Sequence, residues 1–205
     1  MFLIVFVTLV ISIIGLFAQI LSAQTAQLYR QQVAFMQTMT TWHGAAVNLA
    51  RANLSLFSAT PCRLTPGTVA TGGPVACAQT VGASNLPPGY QTSPYTFYSI
   101  AYQSAAGGDY VITFVHDTDS NGGLKLPDSS SSNVVSYTIS NLMQQLARAA
   151  PSNLSWGAVT ASNSTSGTLT ILTKSNGATA GSLTYTIPGS SVIPLNAVAL
   201  LSTAQ

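Results

Sequence analysis

The first 21 residues of this chain are almost entirely apolar and carry no charged side chain, and the first charge of any kind is Arg30. A helix of about 20 apolar residues crosses a bilayer core of roughly 30 Å. We therefore expect residues 1–22 to form a membrane-spanning helix. The alternative is a secretory signal peptide, which would have a basic start, a shorter apolar core and small residues before a cleavage point. Of these features only Leu21-Ser22-Ala23 is present, and the match is weak.

The helical pattern continues beyond this stretch as an amphipathic segment over residues 23–56. It contains no proline and one glycine, Gly44. Apolar residues recur three, four or seven positions apart, at Leu28, Phe35, Met39, Trp42, Ala46 and Leu49. This spacing places one apolar stripe along a helix. We predict a single helix of about 50 residues, roughly 75 Å long. The alternative is two helices that break near Gly44, where glycine costs about 1 kcal/mol relative to alanine.

The rest of the chain, residues 57–205, is long enough for one globular domain with its own core. Only 5% of all residues are charged, where about a quarter is usual, and the sequence contains no Glu. The net charge of +2 is not concentrated in a basic cluster. Nucleic-acid binding needs concentrated Lys and Arg, so we expect no nucleic-acid partner. A low net charge also favours association between proteins.

The only two cysteines, Cys62 and Cys77, enclose a loop rich in Pro, Gly and Thr. We predict that they form a disulfide, which would persist only in an oxidising compartment. The alternative is a pair of unrelated buried thiols. A disulfide places the domain outside the cytoplasm, with the N-terminus of the membrane helix on the inner side.

Periodicity in the domain predicts mainly strands. Aromatic and β-branched residues favour two paired strands over residues 95–102 and 110–116. A second helix, capped by Asn133 or a neighbouring Ser, is predicted to run to about Ala149, because Val135, Ile139 and Leu142 recur at helical spacing. Further strands are predicted over residues 156–161, 168–174 and 182–187, with a short edge strand within residues 192–201. The predicted fold class is α+β, with the long helix packed on an antiparallel sheet and one further helix.

An apolar N-terminal helix that continues into an amphipathic helix, followed by an antiparallel sheet and a disulfide, resembles the type IV pilin superfamily. Residues 1–56 with Cys62 and Cys77 carry this resemblance. More narrowly, residues 95–115, the Trp156-Gly157-Ala158 sequence and residues 187–192 resemble the PilM-type proteins of thin type IVb pilus and conjugative systems.

The resemblance implies function by polymerisation. In pilins the membrane helix anchors the subunit before assembly and forms the filament core afterwards. The implied partners are copies of this chain, other pilin-like subunits and the membrane, and the implied location is the inner membrane facing the periplasm or exterior, then the extracellular filament. The residues expected to make the assembly contacts are Phe2, Val5, Val10, Ile14, Phe17, Leu28, Phe35, Met39 and Trp42.

The chain departs from many bacterial pilins at one position. Those pilins carry a glutamate early in the mature helix, which pairs with the N-terminal amine of the neighbouring subunit. If Met1 is a processed N-terminus, Val5 stands close to where that acid is expected. The subunit then either packs without this contact, as archaeal pilins do, or is an accessory component outside the main fibre.

Residues 117–128 match the ligand spacing of an EF-hand-type calcium loop. Oxygen-bearing side chains alternate, glycine is sixth and an acid is twelfth. The candidate calcium ligands are Asp117, Asp119, Asn121, the Gly123 carbonyl and Asp128. Against calcium, the last acid is Asp rather than Glu, and Lys125 opposes a cation. The alternative is a solvated turn after a β-strand.

Catalytic residues are not predicted. The sequence has no nucleophile elbow, no paired Glu and no phosphate-binding glycine loop. We expect His43 to be a polar-face or packing residue of the long helix. We therefore expect a structural protein rather than an enzyme. The alternative function is a monomeric membrane-anchored binding module or adhesin outside the cytoplasm.

Overall fold

The computed structural model describes residues 2–67, 74–90, 97–104, 107–115, 124–127, 134–137, 154–162, 166–175, 178–188 and 198–204. The chain divides into two units, Met1–Met36 and Gln37–Gln205. The architecture is α+β, as predicted: one long N-terminal helix and an antiparallel sheet.

The long helix α1 runs from Phe2 to Ala52. It passes through Gly44 without interruption, so the alternative of two helices with a break there is wrong. It ends slightly before the predicted end at residue 56, because Asn53 leaves helical geometry with φ −138°. A short 3-10 helix, Leu54–Leu56, follows.

Nine strands are present among the described residues. They are β1 (Cys62–Arg63), β2 (Phe97–Gln103), β3 (Asp109–Val115), β4 (Leu124–Pro127), β5 (Val134–Tyr137), β6 (Ser155–Ser162), β7 (Ser166–Ser175), β8 (Ala178–Pro188) and β9 (Val198–Thr203). Seven of them form one sheet in the order β1-β2-β3-β9-β6-β7-β8, while β4 and β5 pair separately. The predicted strands in the β2, β3, β6, β7 and β8 regions are confirmed, with β8 longer than expected.

Two sequence predictions need correction. The second helix, expected to begin at Asn133, is wrong over Val134–Tyr137, which form β5 and pair with Leu124–Pro127 of β4. The β-branched pair Val134-Val135 favours a strand over a helical first turn. The remainder of that predicted helix lies outside the described residues.

The last strand, β9, was expected at an edge but lies in the middle of the sheet, between β3 and β6. The strand begins at Val198, so Pro194, which only an edge strand would tolerate, is not part of it. Its residues Ala199, Leu200 and Leu201 are consecutive, apolar and buried. A run of this kind is typical of a strand with both faces covered. The end of the described chain therefore joins the two halves of the sheet.

Residues 37–52 of α1 pack on one face of the sheet. Small residues such as Ala46, Ala50 and Ala101 line this contact and let helix and sheet approach closely. The buried cluster comprises Ala45, Ala46, Val47, Leu49, Ala50, Leu56, Phe57, Leu64, Cys77, Val81, Ala101, Val111 and Ala204. The opposite face is also buried, in a cluster of Ile100, Tyr102, Ile112, Phe114, Ala199 and Leu201. Both faces of the sheet are therefore buried at these positions, and the positions that face α1 lie inside the protein.

Candidate functional site

The first part of α1 exposes apolar side chains on all its sides. Every residue from 10 to 27 is exposed, and Ile14 and Phe17 are 62% and 61% exposed. The large apolar side chains of this surface, named here the exposed apolar segment, are Phe6, Val10, Ile11, Ile13, Ile14, Leu16, Phe17, Ile20 and Leu21. The helix from Val10 onward is long and apolar enough to cross a membrane, by length and composition. Contiguous apolar surface of this extent is typical of contact with lipid or with other proteins.

The structure separates the residues predicted for assembly into two groups. Val10, Ile14 and Phe17 lie in the exposed apolar segment, whereas Phe35 and Met39 are buried and Trp42 is half-buried. Phe2, Val5 and Leu28 lie in α1, but their side chains are outside the described part of the structure. Met39 and Trp42 therefore serve packing within the unit Gln37–Gln205, and the role of the earlier positions in assembly stays a prediction.

A series of hydrogen bonds connects the buried face of α1 to three strands. The indole Nε1 of Trp42 donates to Ser99 Oγ at 3.1 Å, and Ser99 Oγ lies 2.7 Å from Thr113 Oγ1. Thr113 Oγ1 lies 2.8 Å from Nδ1 of His43, whose Nε2 lies 2.9 Å from Ser202 Oγ. We name these five side chains the hydrogen-bond relay. It joins α1 to β2, β3 and β9 through polar groups within an otherwise apolar contact.

The direction of the relay follows from the indole, which can only donate. Since Ser99 Oγ accepts from Trp42, its own proton goes to Thr113, and the Thr113 proton goes to Nδ1 of His43. A neutral imidazole then carries its proton on Nε2 and donates to Ser202. The reverse direction would leave the buried Ser99 hydroxyl proton without an acceptor among the described residues, which is costly.

Burial keeps the imidazole of His43 neutral. The residue is 2% exposed, and desolvation lowers its pKa from 6.5 to about 3. His43 lies more than 20 residues beyond the apolar start of α1 and packs on the sheet. At neutral pH the ring is therefore a neutral hydrogen-bonding group.

His43 and Ser202 are residue types that can act as a general base and a nucleophile. In a catalytic pair the serine hydroxyl donates to the imidazole, whereas here the imidazole donates to Ser202. Nucleophilic activation requires an imidazole nitrogen with a free lone pair facing the hydroxyl. Here Nε2 of His43 carries the proton, and its lone-pair nitrogen, Nδ1, faces Thr113. The arrangement orients Ser202 and fixes α1 on the sheet.

Sequence reasoning missed the relay, although one signal for His43 was present. His43 follows Met39 by four positions and precedes Ala46 by three, so it belongs to the buried stripe. Its packing role is confirmed and its polar-face role is wrong. Ser99, Thr113 and Ser202 could not be selected from the sequence, because serine and threonine are abundant throughout it.

The predicted disulfide between Cys62 and Cys77 is present. Cys77 belongs to the buried cluster under α1, and Cys62 packs against that cluster. The backbone of Arg63 bonds to Val75 O and Cys77 N, so the disulfide loop is fixed to the first strand of the sheet. An oxidising compartment is consistent with this bond.

The candidate calcium ligands Asp117, Asp119, Asn121, Gly123 and Asp128 lie outside the described residues. Between them, Leu124–Pro127 form β4. Calcium binding by this loop stays a prediction.

Comparison of this chain with protein-family profiles, with curated proteins and with solved structures finds no match.

Proposed function

We propose that this chain is a pilin-like structural subunit or assembly component of a type IV (IVb-like) pilus or a related extracellular filament. The exposed apolar segment anchors it in the membrane and, after assembly, packs against the same helix of neighbouring subunits. The observation that carries the proposal is the contrast within α1, whose early residues are apolar and exposed while residues 37–52 pack on the domain.

The size of the exposed apolar segment explains why it needs a partner. It presents nine large apolar side chains, each 36–63% exposed. Covering each one contributes roughly 1 kcal/mol, or on the order of 10 kcal/mol together. A membrane provides this cover for a single subunit, and the helices of other copies provide it within a filament.

The lack of charge in the first part of α1 favours the same two environments, the membrane and the core of a filament. The helix has no acidic residue in its first turn, and its first charge is Arg30. Lipid contact and packing against identical helices both penalise unpaired charge. Since the chain contains no Glu, its helices would pack through apolar surface alone, without the carboxylate–amine contact of many bacterial pilins.

The disulfide supports a domain outside the cytoplasm. Cys62–Cys77 is stable where the compartment is oxidising, so the domain would face the periplasm or the exterior while α1 lies in the inner membrane. Extracellular filament is the location after assembly.

The protein is proposed to act by assembly rather than by catalysis. The direction of the hydrogen-bond relay supports this role, because His43 donates to Ser202 and is not placed to accept its proton. Among the described residues, no group of three or more His, Cys, Asp or Glu side chains is placed to hold a metal ion.

Two lysine substitutions in α1 test the proposal. Ile14→Lys places a charge in the middle of the exposed apolar segment, at a cost of about 3 kcal/mol in a bilayer. Gln27→Lys is the matched control, because Gln27 is polar and exposed on the same helix. Cells that produce the protein are sheared, and the filament and membrane fractions are compared by immunoblot.

We expect Ile14→Lys to reduce the protein in sheared filaments at least tenfold and Gln27→Lys to leave it unchanged. Normal filament yield from Ile14→Lys would contradict the proposal. A wild-type protein that stays in the membrane fraction and forms no filaments would exclude a fibre-forming subunit and leave an accessory assembly component or the alternative, an anchored binding module.

A further inference from the structure

A pocket of about 290 Å³ lies beside the last turns of α1 and the end of β9. Arg51 and Asn48 are exposed at its rim, and Ser202 lies in its wall next to His43. Val47 and Leu154 add apolar surface. We name it the Arg51 pocket.

Arg51 is held in place before any ligand arrives. Its Nε donates to the carbonyl of Ala204 and its Nη2 donates to the carbonyl of Thr203, both at 3.1 Å. Two bonds to adjacent carbonyls fix the plane of the guanidinium. Among the described residues, Nη1 has no hydrogen-bond partner, so it remains available to a ligand.

Ser202 is also oriented as a donor. Its Oγ accepts the Nε2 proton of His43, and its own hydroxyl proton has no acceptor among the described residues, so it can bind an acceptor in the pocket. Trp42, at the other end of the hydrogen-bond relay, sets this direction. The pocket therefore presents two prepared donors, one of them charged.

The chemistry of the walls defines the ligand. None of the described lining residues is acidic, and Arg51 supplies one positive charge. An anion with oxygen acceptors matches Arg51 and Ser202, and arginine binds carboxylate well. The apolar surface of Val47 and Leu154 favours a hydrocarbon group behind the anion, and the volume lies at the small end of ligand pockets.

We propose that the Arg51 pocket binds a short-chain aliphatic carboxylate. The carboxylate contacts Arg51 Nη1 and the Ser202 hydroxyl, and the aliphatic chain contacts Val47 and Leu154. Binding at this pocket does not depend on the proposed filament role.

The test is an NMR titration of the ¹⁵N-labelled full chain in an uncharged detergent. Hexanoate is the probe, hexanamide is its uncharged counterpart, and inorganic phosphate is the anion without a hydrocarbon chain. The chain has two Trp residues, so the indole region contains few signals, and the Trp42 indole reports on the relay. We expect a saturable shift with a Kd of about 1 mM for a ligand of this size.

Hexanoate should bind at least tenfold more tightly than hexanamide or phosphate. Arg51→Gln should abolish that preference, while Arg30→Gln, which removes the same charge from an exposed position of the same helix, should retain it. Ser202→Ala should weaken hexanoate binding about fivefold. The proposal would be overturned if hexanoate bound no more tightly than hexanamide, or no more tightly than phosphate. It would also be overturned if Arg51→Gln and Arg30→Gln lost the preference for hexanoate equally.

The Gly44→Leu substitution is a second test, which fills the pocket while it keeps the Arg51 and Ser202 donors. Gly44 lines the pocket, and a Cβ at this position would have no heavy atom within 4 Å, so the backbone tolerates a side chain there. The leucine should occupy the pocket and reduce hexanoate affinity at least tenfold. Unchanged affinity in a folded Gly44→Leu protein would place the ligand elsewhere and overturn the proposal.

Discussion

The Thr113→Val substitution tests the hydrogen-bond relay that joins α1 to the sheet. Thr113 is fully buried, and its hydroxyl bonds to both Ser99 and His43. Valine has nearly the same shape, so the substitution removes two hydrogen bonds without opening a cavity. Among the described residues it leaves the Ser99 hydroxyl proton without an acceptor and Nδ1 of His43 without a donor, while Ser99 Oγ still accepts from Trp42.

Each buried polar group left without a partner costs about 1–3 kcal/mol, and the added apolar methyl of valine offsets part of this. We expect a net loss of about 3 kcal/mol in the free energy of unfolding. For a domain of this size that corresponds to a decrease of roughly 9 °C in Tm.

The assay is urea denaturation of the full chain in a mild uncharged detergent, followed by tryptophan fluorescence. Thr203→Val is the matched control, because Thr203 is exposed at the end of β9 and its side chain is not in the relay. A Thr113→Val protein as stable as the control, within about 0.5 kcal/mol, would refute the relay as a source of stability. In a double-mutant cycle, Thr113→Val and His43→Leu should be non-additive by more than about 1 kcal/mol, since both remove the same bond.

Four further predictions concern His43, the disulfide and Gly44. The ¹⁵N shifts of His43 at pH 7 should show a protonated Nε2 and a bare Nδ1, and the opposite tautomer would contradict the assigned direction of the relay. Because burial lowers the pKa of His43 from 6.5 to about 3, the unfolded chain binds a proton below pH 6.5 that the folded chain does not, so stability falls as the pH falls. Between pH 7 and pH 5 we expect a loss of about 2 kcal/mol in urea denaturation, which His43→Gln should remove; an equal loss in that variant would assign the pH dependence to other groups. Replacing Cys62 and Cys77 with serine should cost about 3 kcal/mol, as expected for opening a loop of this length, and unchanged urea stability would show that the loop is held by other contacts. Gly44→Ala should stabilise the protein by about 0.5–1 kcal/mol, because the position is helical and has room for a methyl group, and a decrease in Tm would show that α1 needs glycine there.

Features of the fold that depend on local periodicity could be predicted from the sequence. The spacing of apolar residues identified α1, and enrichment in aromatic and β-branched residues identified β2 and β3, because both signals lie within one element. The disulfide followed from the presence of only two cysteines. The segment Val134–Tyr137 was misassigned because a short apolar run fits a helix turn and a strand almost equally.

Features that depend on distant pairing could not be predicted. The central position of β9 results from its pairing with β3 and β6, which its own residues do not specify. The hydrogen-bond relay joins residues 57, 70 and 159 positions apart. Nothing distinguishes Ser99 or Ser202 from the other serines of the sequence until the sheet places them beside α1.

Helix-mediated assembly is tested by the distribution of the wild-type chain between sheared extracellular filaments and the membrane pellet. Intact-mass spectrometry of each fraction identifies the protein and its N-terminus. A subunit that assembles through the exposed apolar segment should be abundant in the filaments. A chain confined to the membrane pellet, with no copies in the filaments, would contradict helix-mediated assembly as its function.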